Sequence, residues 1–256
     1  MGRAMLGLRT FGCLEVERTD RPFTGAAARP RSLALLVVVA LARVQGISRD
    51  RLLAYFWPES DTEHARNCLK QTLFTLRRDL HDDLFQGGSW FLRLNPAVIT
   101  TDVLEFEAAS ARRAHGDAVA LYRGPFLDGF HIPDLLELGH WIEDERVRLA
   151  RRYQASLEGL ANAAYDAGDC SAAVEWWRQL ATLDPLSSRV AVGFMRALTA
   201  TGDRTHALEY ARVHESLVRR ELGAPPDAAV TAYAQWLRQH PEAGVRRWSR
   251  TRPIAG

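Results

Sequence analysis

The chain has 256 residues, 47% of them apolar and 25% charged, the balance of an ordinary globular protein and far from that of a disordered one. Eleven prolines and eighteen glycines are too few for a low-complexity chain. Three scattered cysteines (Cys13, Cys68, Cys170) without a CxxC pair exclude a disulfide scaffold and a cysteine-rich zinc site. The net charge of +2 hides a split: residues 1–101 carry +4, residues 102–240 carry −5 and residues 241–256 carry +3. A basic front joined to an acidic back suggests an anionic partner for the front only.

In chain order, Leu6–Phe11 and Cys13–Arg18 alternate apolar and polar positions around Gly12, which predicts two short strands. Arg31–Gln45 reads as an apolar helix stopped by Gly46. Its apolar run, Leu33 to Ala42, would span about 15 Å as a helix, half of a bilayer core, so it is read as a core helix and not an anchor. No signal peptide precedes it, and a cytoplasmic, reducing location follows from that and from the cysteine usage. Ser48 reads as the N-cap of a second helix, ended by Pro58, with Trp57 plugging the core. Ser60 or Asp61 caps a third helix reaching about Asp82. Gly87-Gly88 marks a turn, and Trp90–Leu94 with Val98–Thr101 predicts a hairpin around Asn95-Pro96.

The third helix carries the most information. At 100° per residue, Ala65, Leu69, Thr72, Leu73, Leu76 and Leu80 share one face, which must be the core side. The opposite face presents His64, Asn67, Gln71, Phe74, Thr75 and Arg78, with Arg66, Lys70 and Arg77 on one flank. Such a face is either a solvated helix surface or a reader of the DNA major groove. Asn and Gln amides can bond adenine edges bidentately, and Arg can bond guanine or phosphate. A helix pair followed by a β-hairpin is the winged-helix arrangement, and it favours the second reading. Trp90 either touches the DNA backbone from the hairpin or packs.

From Asp102 onward the pattern is helical, punctuated by Gly116-Asp117, Gly168-Asp169, Gly202-Asp203 and Gly223. The second and third of these pairs lie 34 residues apart, and that offset also superposes Ala163 on Ala197, Ala173 on Ala207, Glu175 on Glu209, Arg178 on Arg212 and Leu183 on Leu217. A 34-residue helix–turn–helix period is the signature of tetratricopeptide (TPR) repeats. Trp176 and Trp177 point about 100° apart on a helix, so at least one packs between repeats, and the other either packs or lines a peptide groove. No P-loop, GxGxxG, GxSxG or HExxH is present, and the eight histidines are scattered. Glu143-Asp144-Glu145, followed at once by Arg146 and Arg148, reads as a solvated helix face.

Several stretches taken together resemble a known family: Arg31-Ser-Leu-Ala-Leu-Leu, Ser48-Arg-Asp-Arg-Leu-Leu, Phe56-Trp-Pro-Glu-Ser, Leu76-Arg-Arg-Asp-Leu and Leu183-Asp-Pro-Leu-Ser-Ser-Arg-Val. The most specific is Leu121-Tyr-Arg-Gly-Pro-Phe-Leu-Asp-Gly-Phe, followed by Trp141-Ile-Glu-Asp-Glu-Arg. These resemble bacterial transcriptional activator domain (BTAD) proteins, the AfsR/SARP-like regulators, over about residues 5–238. The resemblance implies a mainly α chain. An OmpR-type winged helix (residues 1–101) is followed by an all-α TPR-like activator domain (residues 102–240) and an Arg-rich tail (residues 241–256) expected to be disordered.

By resemblance the chain is a promoter-binding transcription regulator, an activator and not an enzyme. Its expected partners are double-stranded DNA, RNA polymerase or a sigma factor, and further copies of itself on DNA. No cofactor, metal, membrane, sensor or receiver domain is expected. DNA-contact roles fall on His64, Asn67, Lys70, Gln71, Phe74, Thr75, Arg77 and Arg78, and phosphate-contact roles on Arg31, Arg49 and Arg93. Phe74 and Thr75 stand where response-regulator relatives often carry arginines, so the base preference does not transfer. The other reading is a TPR adaptor whose front domain binds protein and not DNA.

Overall fold

A computed structural model describes residues 6–17 and 26–242. In chain order these form β1 (Leu6–Arg9), β2 (Glu15–Glu17), α1 (Pro30–Leu41), β3 (Ile47–Ser48), α2 (Arg49–Phe56), α3 (Thr62–Asp79), β4 (Phe85–Gln86), β5 (Phe91–Leu94) and β6 (Ile99–Thr101). Helices alone follow: α4 (Asp102–Ala111), α5 (His115–Leu121), α6 (Leu136–Ala167), α7 (Cys170–Leu183), α8 (Ser188–Ala200), α9 (Arg204–Leu222) and α10 (Ala228–Gln239). The chain divides into two compact units, one ending at Tyr153 and one beginning at Gln154. Of the tail expected to be disordered, residues 243–256 lie outside the described residues. Among the described residues no helix is long and apolar enough to cross a membrane.

In the first unit, α1 is buried without a break from Ser32 to Leu41. A helix that is apolar all round has to be covered all round, and α2, β5 and the turn at Ala26–Ala28 pack against it. Two three-stranded sheets flank the helices, in the orders β2-β1-β6 and β3-β5-β4. Here the structure corrects the sequence reading. Trp90–Leu94 and Val98–Thr101 do not pair as a hairpin. β5 pairs antiparallel with β4, Phe85 opposite Leu94, and β6 leaves to pair parallel with β1, Leu6 opposite Ile99.

The reason lies in the glycines and in Asn95. Gly87 has φ 133°, and a Cβ there would meet the Phe91 carbonyl at 2.3 Å. Only glycine allows the Gly87-Gly88 bend to close a hairpin. The Asn95 side chain donates to the Asp83 carbonyl (3.0 Å) and accepts from Ala97 N–H (3.1 Å), which turns the chain away from β5.

Immediately after β6, the Asp102 carboxylate gathers hydrogen bonds from the end of β1. It accepts from Thr10 N–H (2.9 and 2.8 Å), the Thr10 hydroxyl (2.7 Å) and Phe11 N–H (2.9 Å). The same stretch receives the 121–130 segment. Gly12 N–H donates to the Pro125 carbonyl (2.9 Å), Leu127 N–H to Thr10 (2.8 Å) and Asp128 N–H to Gly12 (2.8 Å). Arg146 of α6 locks this segment from the other side, donating from Nε to the Phe126 carbonyl (2.7 Å) and from its terminal nitrogens to the Leu127 carbonyl and Glu143. Arg146 and its acidic neighbours are therefore partly structural, where the sequence suggested only a solvated face.

A second tie runs through Glu107, which is 8% exposed on α4. It accepts from Arg43 (3.0 and 2.5 Å) after α1 and from Arg148 (2.5 Å) on α6. Burial works against its charge, but the hydrogen bonds and positive charge of Arg43 and Arg148 outweigh it and hold the carboxyl below the usual glutamate range.

The second unit is built from helix pairs whose punctuation follows the 34-residue period. Gly168 and Gly202 take left-handed φ of 81° and 85°. The aspartate after each then caps the next helix, Asp169 accepting from Ala172 N–H (3.0 Å) and Asp203 from His206 N–H (3.2 Å). Small residues at the crossings are buried, among them Ala173, Ala191, Ala207 and Ala211. Trp177 is the packing member of the tryptophan pair, and Trp176 is half-buried. The Trp177 ring lies over Gly193 of α8, where an added Cβ would come within 2.5 Å of it.

Two expectations follow. Gly193→Ala should destabilise the second unit by up to about 2 kcal/mol, because overpacking costs about 1–3 kcal/mol against the ~1 kcal/mol that alanine gains in helix propensity. A raised melting temperature would contradict the close approach of α7 and α8. Glu107→Gln should cost about 1.5–3 kcal/mol at neutral pH, the range for hydrogen bonds to charged groups. With a folded pKa below the ordinary 4.5, the charged form's contribution is complete above that value and is lost as pH falls through the folded one. Denaturant titrations from neutral to acid pH check this, since the gap between parent and variant should shrink on acidification.

Candidate DNA interface

The helix pair α2–α3 is set by two side-chain caps. Ser48 Oγ accepts from Arg51 N–H (3.2 Å) and Asp61 Oδ1 from His64 N–H (2.9 Å), so Asp61, and not Ser60, begins α3. The helix ends at Asp79, three residues before the sequence reading, with Leu80 as its cap. Ala65, Leu69, Leu73, Leu76 and Leu80 are buried as the 100° spacing requires, and Thr72 is half-buried, its hydroxyl donating to the Cys68 carbonyl (2.9 Å).

The opposite face is open. His64, Asn67, Lys70, Gln71 and Arg78 are exposed, and Phe74 is 65% exposed. Thr75 is half-buried, at the edge of this face instead of its centre. Two of the predicted cations have internal work. Arg77 is half-buried with its guanidinium 5.7 Å from the centre of the Phe85 ring, which holds β4 against α3. Arg78 donates to the Asp79 carboxylate (2.7 Å), so part of its charge is already neutralised. Asp79 is held below the usual carboxylate range by that hydrogen bond. Lys70 and Arg66 are the exposed cations of the flank. His64 Nε2 lies 3.5 Å from Cys68 Sγ.

The hairpin beside α3 is β4–β5, with its turn at residues 87–90. Arg93 is exposed on β5. Arg49, half-buried at the first position of α2, donates its backbone N–H to the Trp90 carbonyl (3.0 Å) and ties the helix pair to the hairpin. Arg31 is exposed in the first turn of α1. Trp90, open between packing and contact on sequence grounds, is 74% exposed, and Phe91 beside it is 55% exposed. The sequence reading missed β4 and with it the true position of the hairpin. The Gly-Gly pair two residues past Phe85 was the available sign. Among the described residues no group of three or more His, Cys, Asp or Glu side chains is placed to hold a metal ion.

Comparison with known proteins bears on both units. No curated protein sequence matches the chain. Among solved structures, Mycobacterium tuberculosis EmbR in complex with a low-affinity phosphopeptide aligns with 95% of this chain and 68% of its own, with a TM-score of 0.67 at 18% identity. At that identity the likeness is one of fold, a winged helix followed by a helical domain. The family model for the bacterial transcriptional activator domain matches residues 98–238, more than half of the chain, and the chain belongs to that family.

Proposed function

We propose that the chain is a sequence-specific promoter-binding activator, with residues 1–101 as the DNA-binding domain and residues 102–240 as the activator domain. The observation that carries this is the two-sided α3. Its leucine face is fixed in the core, so the amide, imidazole and cationic groups of Asn67, Gln71, His64 and Lys70 are held outward in one orientation. A rigid helix face of that chemistry fits major-groove readout. Asn67 and Gln71 take the base-reading role, with His64, Phe74 and Thr75 bordering them. Lys70, Arg31, Arg49 and Arg93 take phosphate roles, to which Arg77 and Arg78 add less because each is already engaged. The net −5 of residues 102–240 argues that this part meets protein and not DNA, namely RNA polymerase or a sigma factor and a second copy of the chain.

Gel shifts titrated with salt test the assignment. Gln71→Ala should relax base preference by about 1–3 kcal/mol at one position, whereas Lys70→Ala and Arg93→Ala should each weaken binding to all sequences and lower the salt slope by about one. Equal loss of specific and non-specific affinity in Gln71→Ala would place α3 the wrong way round. Absence of salt-dependent binding altogether would leave the protein-adaptor reading. Self-association is checked on the whole chain with one half-site against two spaced by a helical turn. Tandem sites should gain more than twofold, because the second contact becomes intramolecular, and affinity no better than for independent sites would remove the homo-oligomer.

A further inference from the structure

The first unit contains a cavity of about 540 Å³, walled by the loop after α1, by α2, by β5 and by α6. That volume lies in the range of small-molecule sites. We propose that it binds a small planar aromatic anion, an inference that stands whether or not α3 reads DNA.

The walls set the shape. Tyr55 and Trp141 pack on each other with ring centres 6.3 Å apart and planes tilted by 38°, and both line the cavity, an aromatic wall on which a flat ring can stack. Phe91 and Val44, both exposed, form an apolar rim.

The charges set the sign. Three ionic side chains line the cavity: Arg43, Arg51 and Glu145. Arg43 is committed to Glu107 (2.5 Å) and Glu145 to Arg148 (2.5 Å). Arg51 differs. It donates from Nε and one terminal nitrogen to the Tyr55 hydroxyl (3.2 and 2.9 Å), and among the described residues it meets no carboxylate. Its second terminal nitrogen and the Tyr55 hydroxyl hydrogen remain as donors side by side. Paired donors with one uncompensated positive charge, beside an aromatic wall, match a carboxylate or sulfonate on an aromatic ring.

The loop that forms one wall is also conformationally committed. Arg43, not a glycine, has φ 52°. Gly46 has φ 70°, and a Cβ there would meet the Leu92 carbonyl at 2.9 Å. Backbone strain of this kind persists where the surroundings over-determine it, and it clusters at ligand sites.

Calorimetric titration of the whole chain with naphthalene-2-carboxylate, against the cation naphthalen-2-ylmethylammonium, tests the site. The carboxylate should saturate one site per chain and the cation should not. Arg51→Met and Phe91→Asp change exposed side chains and should keep the parent melting temperature, while each weakens the carboxylate at least tenfold. The proposal is overturned if the carboxylate fails to saturate, if the cation binds as well, or if both variants bind like the parent. Should one variant melt early, the other decides.

Discussion

One carboxylate organises the front of the molecule. Asp102 stands at the first position of α4, and the N–H groups at the end of β1 and the hydroxyl of Thr10 converge on it. A short strand with one hairpin partner alone is marginal. β1 has a hairpin partner in β2, a parallel partner in β6 and this ionic clamp beyond its end. The turn that follows β1 is in turn the platform for residues 125–128, which Arg146 fastens from α6. Asp102 thus fixes the end of the central strand, on which residues 125–128 and, through Arg146, α6 are registered. The expected domain border between Thr101 and Asp102 therefore falls within the first compact unit, which continues to Tyr153.

Local rules explain why much of this was legible in the sequence. The α3 faces followed from spacing alone, since Leu69, Leu73 and Leu76 leave one side for Asn67 and Gln71. The caps Ser48, Asp61, Asp169 and Asp203 obey chemistry that acts over three residues. So do the left-handed glycines at 168 and 202, which made the 34-residue period visible. What failed was long-range. β6 pairs with β1 across more than ninety positions, and nothing near Val98–Thr101 announces a parallel partner. An antiparallel hairpin with the adjacent strand was the local expectation, and the Asn95 turn defeats it.

Charge was legible only as composition. Glu107, Arg43 and Arg148 are ordinary surface-type residues in a sequence, and only the fold shows that the glutamate is buried between two guanidiniums. Arg77 and Arg78 carry the same lesson for the candidate interface. By spacing Arg78 belongs to the outward face and Arg77 to its cationic flank, yet Arg77 leans on Phe85 and Arg78 on Asp79. Counting basic residues on a helix overstates the charge available to a phosphate backbone.

The unbroken burial of α1 has a consequence for how the protein is made. During synthesis this helix emerges ahead of β5, the strand that packs against it, which lies about fifty residues behind. At about 5–20 residues per second, its run of buried positions stays partly uncovered for roughly 3–10 s. That is far longer than a helix needs to form. For those seconds the nascent chain carries a preformed greasy rod awaiting a lid, a natural client for a chaperone at the ribosome exit.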